Sequence, residues 1–395
     1  MSAQRIAVWL LAAVIGFAWR NAAFGEEGAV SRDEATRILA HGPWPMPWTP
    51  DPSNRVSGNR RAADLGRKLF FDEGLSQFGA LSCASCHKPR LAWSDGRSQA
   101  ASAAGLERNT LSLFNVRHMR WLGWDGAADA LWAYSLRPLL DAREMAASAD
   151  HVRNRLVRSR ELAKAYAGVF GEAPSMHAPE EALANAAKAL AAFQEGITTA
   201  RSPFDAFRDA LAANDRAASR RYPDAALRGL RIFIGKGSCS ACHSGPMFTN
   251  GEFYNIGVHN ASERKTADSG REGGLKKLRE APFALMRSAH DDSRGKAAAT
   301  PSTHPTDERR HPAFGAFRVP SLRNVALTAP YMHDGSMATL DDAVRHCSHR
   351  TADQPGAVEE RIERRFPFTK DEIADLVAFL RSLTAAQAGS LRRGR

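Results

Sequence analysis

One short pattern occurs twice in this chain and constrains it more than anything else: Cys83-Ala84-Ser85-Cys86-His87 and Cys239-Ser240-Ala241-Cys242-His243. A Cys-x-x-Cys turn sets two sulfurs on one side, spaced to form thioethers with the two vinyl groups of one haem. The histidine that follows points its imidazole at the iron from below. Two copies read as two covalently attached c-type haems, held by Cys83, Cys86, Cys239 and Cys242, with His87 and His243 on the irons. The competing readings explain less. A thioredoxin-like redox pair would want a βαβ setting. A zinc site drawn from both pairs leaves the adjacent histidines unexplained. Two ordinary disulfides make both histidines coincidences.

The rest of the chain fits an exported helical protein. Arg5 followed by the apolar run 6–19, with Arg20 closing it and Ala23 and Gly25 at peptidase spacing, reads as a signal peptide over residues 1–25. The apolar length also overlaps that of an uncleaved anchor. At 395 residues there is room for two domains. The net charge of +11 is spread along the chain rather than gathered in a block, so nucleic acid is not an expected partner. Helical periodicity appears over 60–71, 153–170, 179–197, 224–234 and from Thr369 to about residue 383, with a capping box at Ser31 and Glu34. Each haem motif is therefore preceded by a helix and a short turn, a repeat at domain scale. The Pro- and Trp-rich stretch 42–52 reads as a surface loop, and the polar stretch 260–310 as a long loop. Strand patterns are almost absent, which predicts an all-α fold.

Further pieces stand in order around the motifs. They are Gly66-Arg67-Lys68-Leu69-Phe70-Phe71, Leu81-Ser82, Ser94-Asp95-Gly96, Arg108-Asn109 and Trp124-Asp125-Gly126 in the first half. The second half has Ser202-Pro203-Phe204-Asp205, Arg228-Gly229-Leu230, Cys242-His243-Ser244-Gly245-Pro246, Val319-Pro320-Ser321-Leu322-Arg323-Asn324 and Ala329-Pro330-Tyr331-Met332-His333-Asp334-Gly335. Over nearly the whole mature chain they resemble the bacterial di-haem cytochrome c peroxidase and MauG superfamily. The resemblance implies two cytochrome c-like helical domains with the active site near their interface. Residues 26–200 would carry the peroxidatic haem on His87, residues 201–385 the electron-transfer haem on His243, and 386–395 a basic tail.

Site residues follow from the same resemblance. Trp124 matches the Trp that bridges electron flow between the haems; its plain reading is a core aromatic beside a turn. Glu144 matches the distal acid of the peroxidatic pocket, where O–O heterolysis needs a proton moved from the near oxygen to the departing one; its plain reading is a solvated helix-end carboxylate. Tyr134 stands where the family usually has Gln, and can donate a hydrogen bond to peroxide or be oxidised. Asn109, Thr328 and Pro330 match positions that hold a calcium ion, one by a side-chain oxygen and two by backbone carbonyls.

Two departures bear on mechanism. The loop 94–107 lacks the His that many family peroxidases place on the resting peroxidatic iron, and His118 is too close to Trp124 to match it. The first haem is then expected to be five-coordinate or water-bound at rest. Cys347 stands where peroxidases usually place a Met ligand to the second haem and MauG-like members a Tyr. A thiolate there would lower the potential. Its plain reading is a small apolar residue, with His346, His349 or Met337 as fallback ligand.

The leading expectation is a periplasmic peroxidase reducing hydrogen peroxide to water with electrons from a small redox protein, a cytochrome or cupredoxin. The second is a MauG-like enzyme that uses peroxide and a two-iron ferryl state to oxidise a protein or other substrate. Gly237 stands where MauG has a surface Trp, which weakens that analogy. The third is a non-catalytic di-haem electron carrier. Oligomeric state is open, a homodimer being one option.

Overall fold

The computed structural model describes residues 30–100, 106–258, 268–280, 313–348 and 367–386. The expected export signal, His349, the stretch beyond residue 386 and much of the stretch 260–310 lie outside the described residues. The first half runs through α1 (Arg32–Leu39), α2 (Arg60–Phe70), the single turn α3 (Cys83–Cys86), α4 (Leu131–Leu140), α5 (Ala149–Arg158), α6 (Arg160–Phe170) and α7 (Pro179–Gln194). The second runs through α8 (Pro203–Ala212), the short α9 (Arg216–Ser219), α10 (Asp224–Ile234), α11 (Arg271–Glu280), α12 (Leu340–Ser348) and α13 (Lys370–Ser382). The named strands among the described residues are β1 (Phe253–Tyr254) and β2 (Phe317–Arg318), antiparallel with Phe253 opposite Arg318. The molecule is mostly helical, as the periodicity implied.

Local chemistry starts and stops these helices. Ser31 and Thr369 close capping boxes with Glu34 and Glu372, and the Asn59 side chain accepts from the amides of Arg61 and Ala62. Gly171 ends α6 in the left-handed conformation that favours glycine.

Two hydrophobic cores result. One gathers Leu65, Leu69 and Phe70 of α2 with Leu136 of α4 and Leu190 of α7. The other gathers Phe204, Leu230 and Phe233 with Ile373, Phe379 and Leu380. Both are organised alike, because the helix leading into each haem motif crosses the last helix of its half at a glycine. A Cβ on Gly66 of α2 would fall on Ala189 O of α7, and one on Gly229 of α10 on Asp375 O of α13. The likeness continues at Asn115 and Asn324, both left-handed (φ 59° and 58°). Asn115 N donates to Ile197 O (2.7 Å) while its Oδ1 accepts from Thr199 N (3.0 Å). Asn324 N donates to Leu383 O (3.1 Å) while its Oδ1 accepts from Ala385 N (2.9 Å). In each half one asparagine ties the turn beyond the motif to the chain leaving the closing helix.

Four expectations are corrected. The helix expected over 153–170 is broken at Ser159, which ends α5 and whose hydroxyl caps α6 by accepting from Leu162 N. Within the stretch read as a loop, residues 271–280 form α11. The stretch 42–52 is not merely a surface wrap. Trp44 is 4% exposed, donates Nε1 to Thr199 O and lies under the Arg323 guanidinium at 3.8 Å. Finally, α1 lies in the chain before the first half's core yet packs Ile38 into the second, with Glu34 paired to Arg231 and Arg37 donating to Ile234 O.

Candidate functional site

The two Cys-x-x-Cys-His turns are built to one plan. In each, the histidine amide donates back to the first cysteine's carbonyl at 2.9 Å, His87 to Cys83 and His243 to Cys239. The imidazole Nδ1–H then donates to a backbone carbonyl at 3.0 Å, Trp93 O for His87 and Phe248 O for His243. Trp93 and Phe248 are buried and both left-handed, φ 59° and 51°. Such a backbone is uncommon for bulky residues and is held only where surroundings impose it. Fixing Nδ1 as the donor leaves Nε2 with the lone pair that a metal takes. Burial keeps His87 below the usual histidine range, so the neutral, ligating form is favoured. Two cysteines and one oriented histidine in each half are the donor set of a c-type haem, and the residues fit the group.

A cavity of about 310 Å³ lies between the halves. Its walls include Cys239, Cys242, His243 and Cys347 together with Trp124, Tyr134, Asn109, Thr328 and Pro330. Cys83, Cys86, His87 and Glu144 are not on its walls. Trp124 stitches the halves: its Nε1 donates to Asn109 O (2.9 Å), and its carbonyl accepts from Arg318 N (2.8 Å). Glu144 stands beside the first motif, where burial raises the Cys83 thiol pKa to about 12 and the Cys86 and Glu144 charges push the same way. Burial, with Asp141 adding, also raises Glu144, against Arg137 and Arg143. Tyr134 feels the same groups; burial raises its pKa, and Arg137 stacks over its ring at 5.7 Å. Asn109 Nδ2 donates to Arg97 O (2.7 Å), turning its Oδ1, the oxygen a calcium would use, to the other side.

The fallback ligands are placed elsewhere. His346 pairs through Nε2 with Ile256 O (2.9 Å), and neither it nor Met337 is on the cavity wall, whereas Cys347 is. His118 packs against Trp44 and Arg117, off the same wall. Met119 and Met332 do line it. The Met119 sulfur is engaged by Arg318 Nη1 at 3.2 Å.

Sequence reasoning missed the polar clasp at the junction. Asp125 is buried and pairs with Arg108 Nη1 (2.8 Å) and Lys277 Nζ (2.9 Å). Burial alone would raise its pKa; the Arg108 and Lys277 cations instead hold it down at about 2. Arg108 also makes two bonds to Asp268, at 2.8 and 2.7 Å. Arg271 donates to Gly126 O (2.7 Å) and lies over the Trp121 and Phe253 rings at 4.3 and 4.1 Å. The available signal was Arg108 and Asp125 standing inside the quoted pieces.

Comparison with known proteins agrees with this geometry. The chain is 33% identical to the methylamine utilization protein MauG of Methylorubrum extorquens over 82% of this chain and 78% of that one. It belongs to the di-haem cytochrome c peroxidase and MauG family. The family model for di-haem cytochrome c peroxidase matches residues 60–212. Another family member, the cytochrome-c peroxidase IdrP1 of Denitromonas iodatirespirans, is 30% identical over 87% of this chain and 86% of that one. Among solved structures, a MauG-like protein associated with microbial copper homeostasis superposes with a TM-score of 0.63 at 28% identity, covering 89% of this chain and 98% of that one. Membership implies a haem-dependent oxidoreductase of peroxidase type, with peroxide as substrate. No helix among the described residues is long and apolar enough to cross a membrane.

Proposed function

We propose that the chain is an exported, periplasmic di-haem peroxidase that reduces hydrogen peroxide to water with electrons from a small cytochrome or cupredoxin. The observation that carries this reading is the paired construction of the two Cys-x-x-Cys-His turns, with an acid of raised pKa, Glu144, beside the first. When bound, the two haems supply the redox-active irons through which two electrons reach peroxide. The protein's own residues manage the protons. Glu144 in its carboxylate form takes the proton of the near peroxide oxygen and returns it to the departing one, which leaves as water. Tyr134, kept neutral by burial, serves as hydrogen-bond donor to peroxide. Trp124 joins the halves through Asn109 O and Arg318 N and is the bridge for electrons between them. Cys347, on the wall of the same cavity as His243, is the sulfur donor to the second haem. Asn109, with the carbonyls of Thr328 and Pro330, is the calcium site at the junction. Residues 26–200 and 201–385 form the two haem domains, with α1 borrowed by the second.

A resting ferric EPR spectrum combined with steady-state peroxide turnover tests this. The expected result is one high-spin and one sulfur-ligated low-spin haem, with turnover sustained by a reduced small cytochrome or cupredoxin. Two six-coordinate haems and no turnover would make the chain an electron carrier. Turnover only with a protein substrate that becomes covalently oxidised would make it MauG-like.

A further inference from the structure

Arg318, on β2 opposite Phe253, is 6% exposed. Its Nε donates to Gly123 O (3.1 Å) and its Nη1 meets the Met119 sulfur. These are neutral partners, and among the described residues no carboxylate pairs with it. Arg323 and Arg108, in contrast, are neutralised by Asp205 and by Asp125 with Asp268. Burial pulls the Arg318 pKa down to about 10, with only the Tyr134 hydroxyl acting the other way. A guanidinium taken out of water without a counter-charge is costly, and proteins retain one where an anion is to be bound.

Its position says which anion. Arg318 lines the same cavity as Cys239, Cys242 and His243, and Nη2 donates to no protein group among the described residues. On the same walls the Thr110 hydroxyl is buried without a hydrogen-bond partner among the described residues. We propose that Arg318, with the Thr110 hydroxyl, is the anchor for a carboxylate side arm of the haem attached at Cys239 and Cys242. A haem carries its vinyl groups and its carboxylates on different edges, so thioethers at Cys239 and Cys242 leave a carboxylate to be met elsewhere on the cavity walls. The planar guanidinium suits a carboxylate by two parallel bonds. Because the Arg318 amide also holds Trp124 O, the anchor couples the second haem to the bridging tryptophan.

This inference rests on the di-haem reading, and the test separates the two. Two c-type haems per chain, counted by pyridine haemochrome in the parent protein, support that reading; their absence overturns it and the anchor together. In the loaded protein, Arg318→Met is then compared with the parent by spectroelectrochemical titration of each haem. Reduction adds negative charge to the iron, so a nearby cation favours the reduced form. The expected result is a lowered midpoint potential for the second haem with the first unmoved, and recovery in Arg318→Lys. Arg318→Gln, which keeps a donor but no charge, serves if the Met variant does not accumulate, and Thr110→Val gives a smaller drop in the same haem. A merely structural role would lower the melting temperature and leave both potentials in place. Unchanged potentials at full haem content, or a shift confined to the first haem, overturn the proposal.

Discussion

A carboxyl that takes a proton from peroxide and hands it on works best with a pKa near the working pH. Glu144 is moved in that direction, since burial raises it and the Asp141 charge adds to the effect. Its carboxylate form is therefore lost at higher pH than an ordinary glutamate's. The expected kcat/KM for peroxide falls as pH drops through this raised value, on an acid limb above the usual carboxylate range. Glu144→Gln should lower kcat/KM by about 10²–10⁴-fold and erase the limb. A glutamine variant that keeps the limb assigns the proton to another group. Glu144 could be proposed from the sequence because the role asked of it belongs to its side chain, which the family resemblance matches residue by residue. Trp93 and Phe248 could not. They act through backbone carbonyls, to which side-chain identity is nearly indifferent, and only their left-handed φ values betray the role.

At the scale of elements, the glycine crossings set how close the motif-bearing helices lie to the closing helices. Gly229→Ala forces α10 off α13 at the Asp375 carbonyl, with an expected cost of about 1–3 kcal/mol. Thermal unfolding of the loaded protein measures it. A substitution without effect would mean the crossing relaxes freely. The helices α1, α2, α7, α10 and α13 were visible in the sequence because their apolar positions repeat, and α1, α2 and α13 also because side chains cap them. The break at Ser159 was hidden because apolar spacing runs on through it, Leu156 on one side and Leu162 on the other, both buried. The α11 helix was hidden for the opposite reason. Its sequence is polar and carries Gly273 and Gly274, so it has little apolar stripe to detect. What docks it is tertiary: Arg271 between two aromatic rings, Lys277 on Asp125, and Gly274 so close to Asp125 O that a Cβ would collide with it.

The molecule as a whole is joined through Asp125, whose partners come from both halves. Its folded pKa of about 2 lies below its ordinary 3.8. A depressed carboxyl contributes stability that is present above the unfolded value and lost as pH falls through the folded one. The shift corresponds to roughly 2 kcal/mol, lost between about pH 4 and pH 2. Acid titration followed by near-ultraviolet dichroism should show this loss. Asp125→Asn should flatten it and cost about 2 kcal/mol, since Arg108 keeps Asp268 and Lys277 reaches solvent. An unaltered acid transition in the variant would move the effect to another carboxylate. The halves also share their supports, since His87 and His243 rest on matching carbonyls at equal distance, contributed by equally twisted residues. Identical foundations cannot set two tenants to different trades. If, as we propose, one iron meets the oxidant and its neighbour stores charge, the difference must be written on the opposite faces, with Glu144 over one and the Cys347 sulfur over the other. Exchanging those upper residues between the halves, while leaving the undersides alone, should therefore exchange the occupations of the two irons.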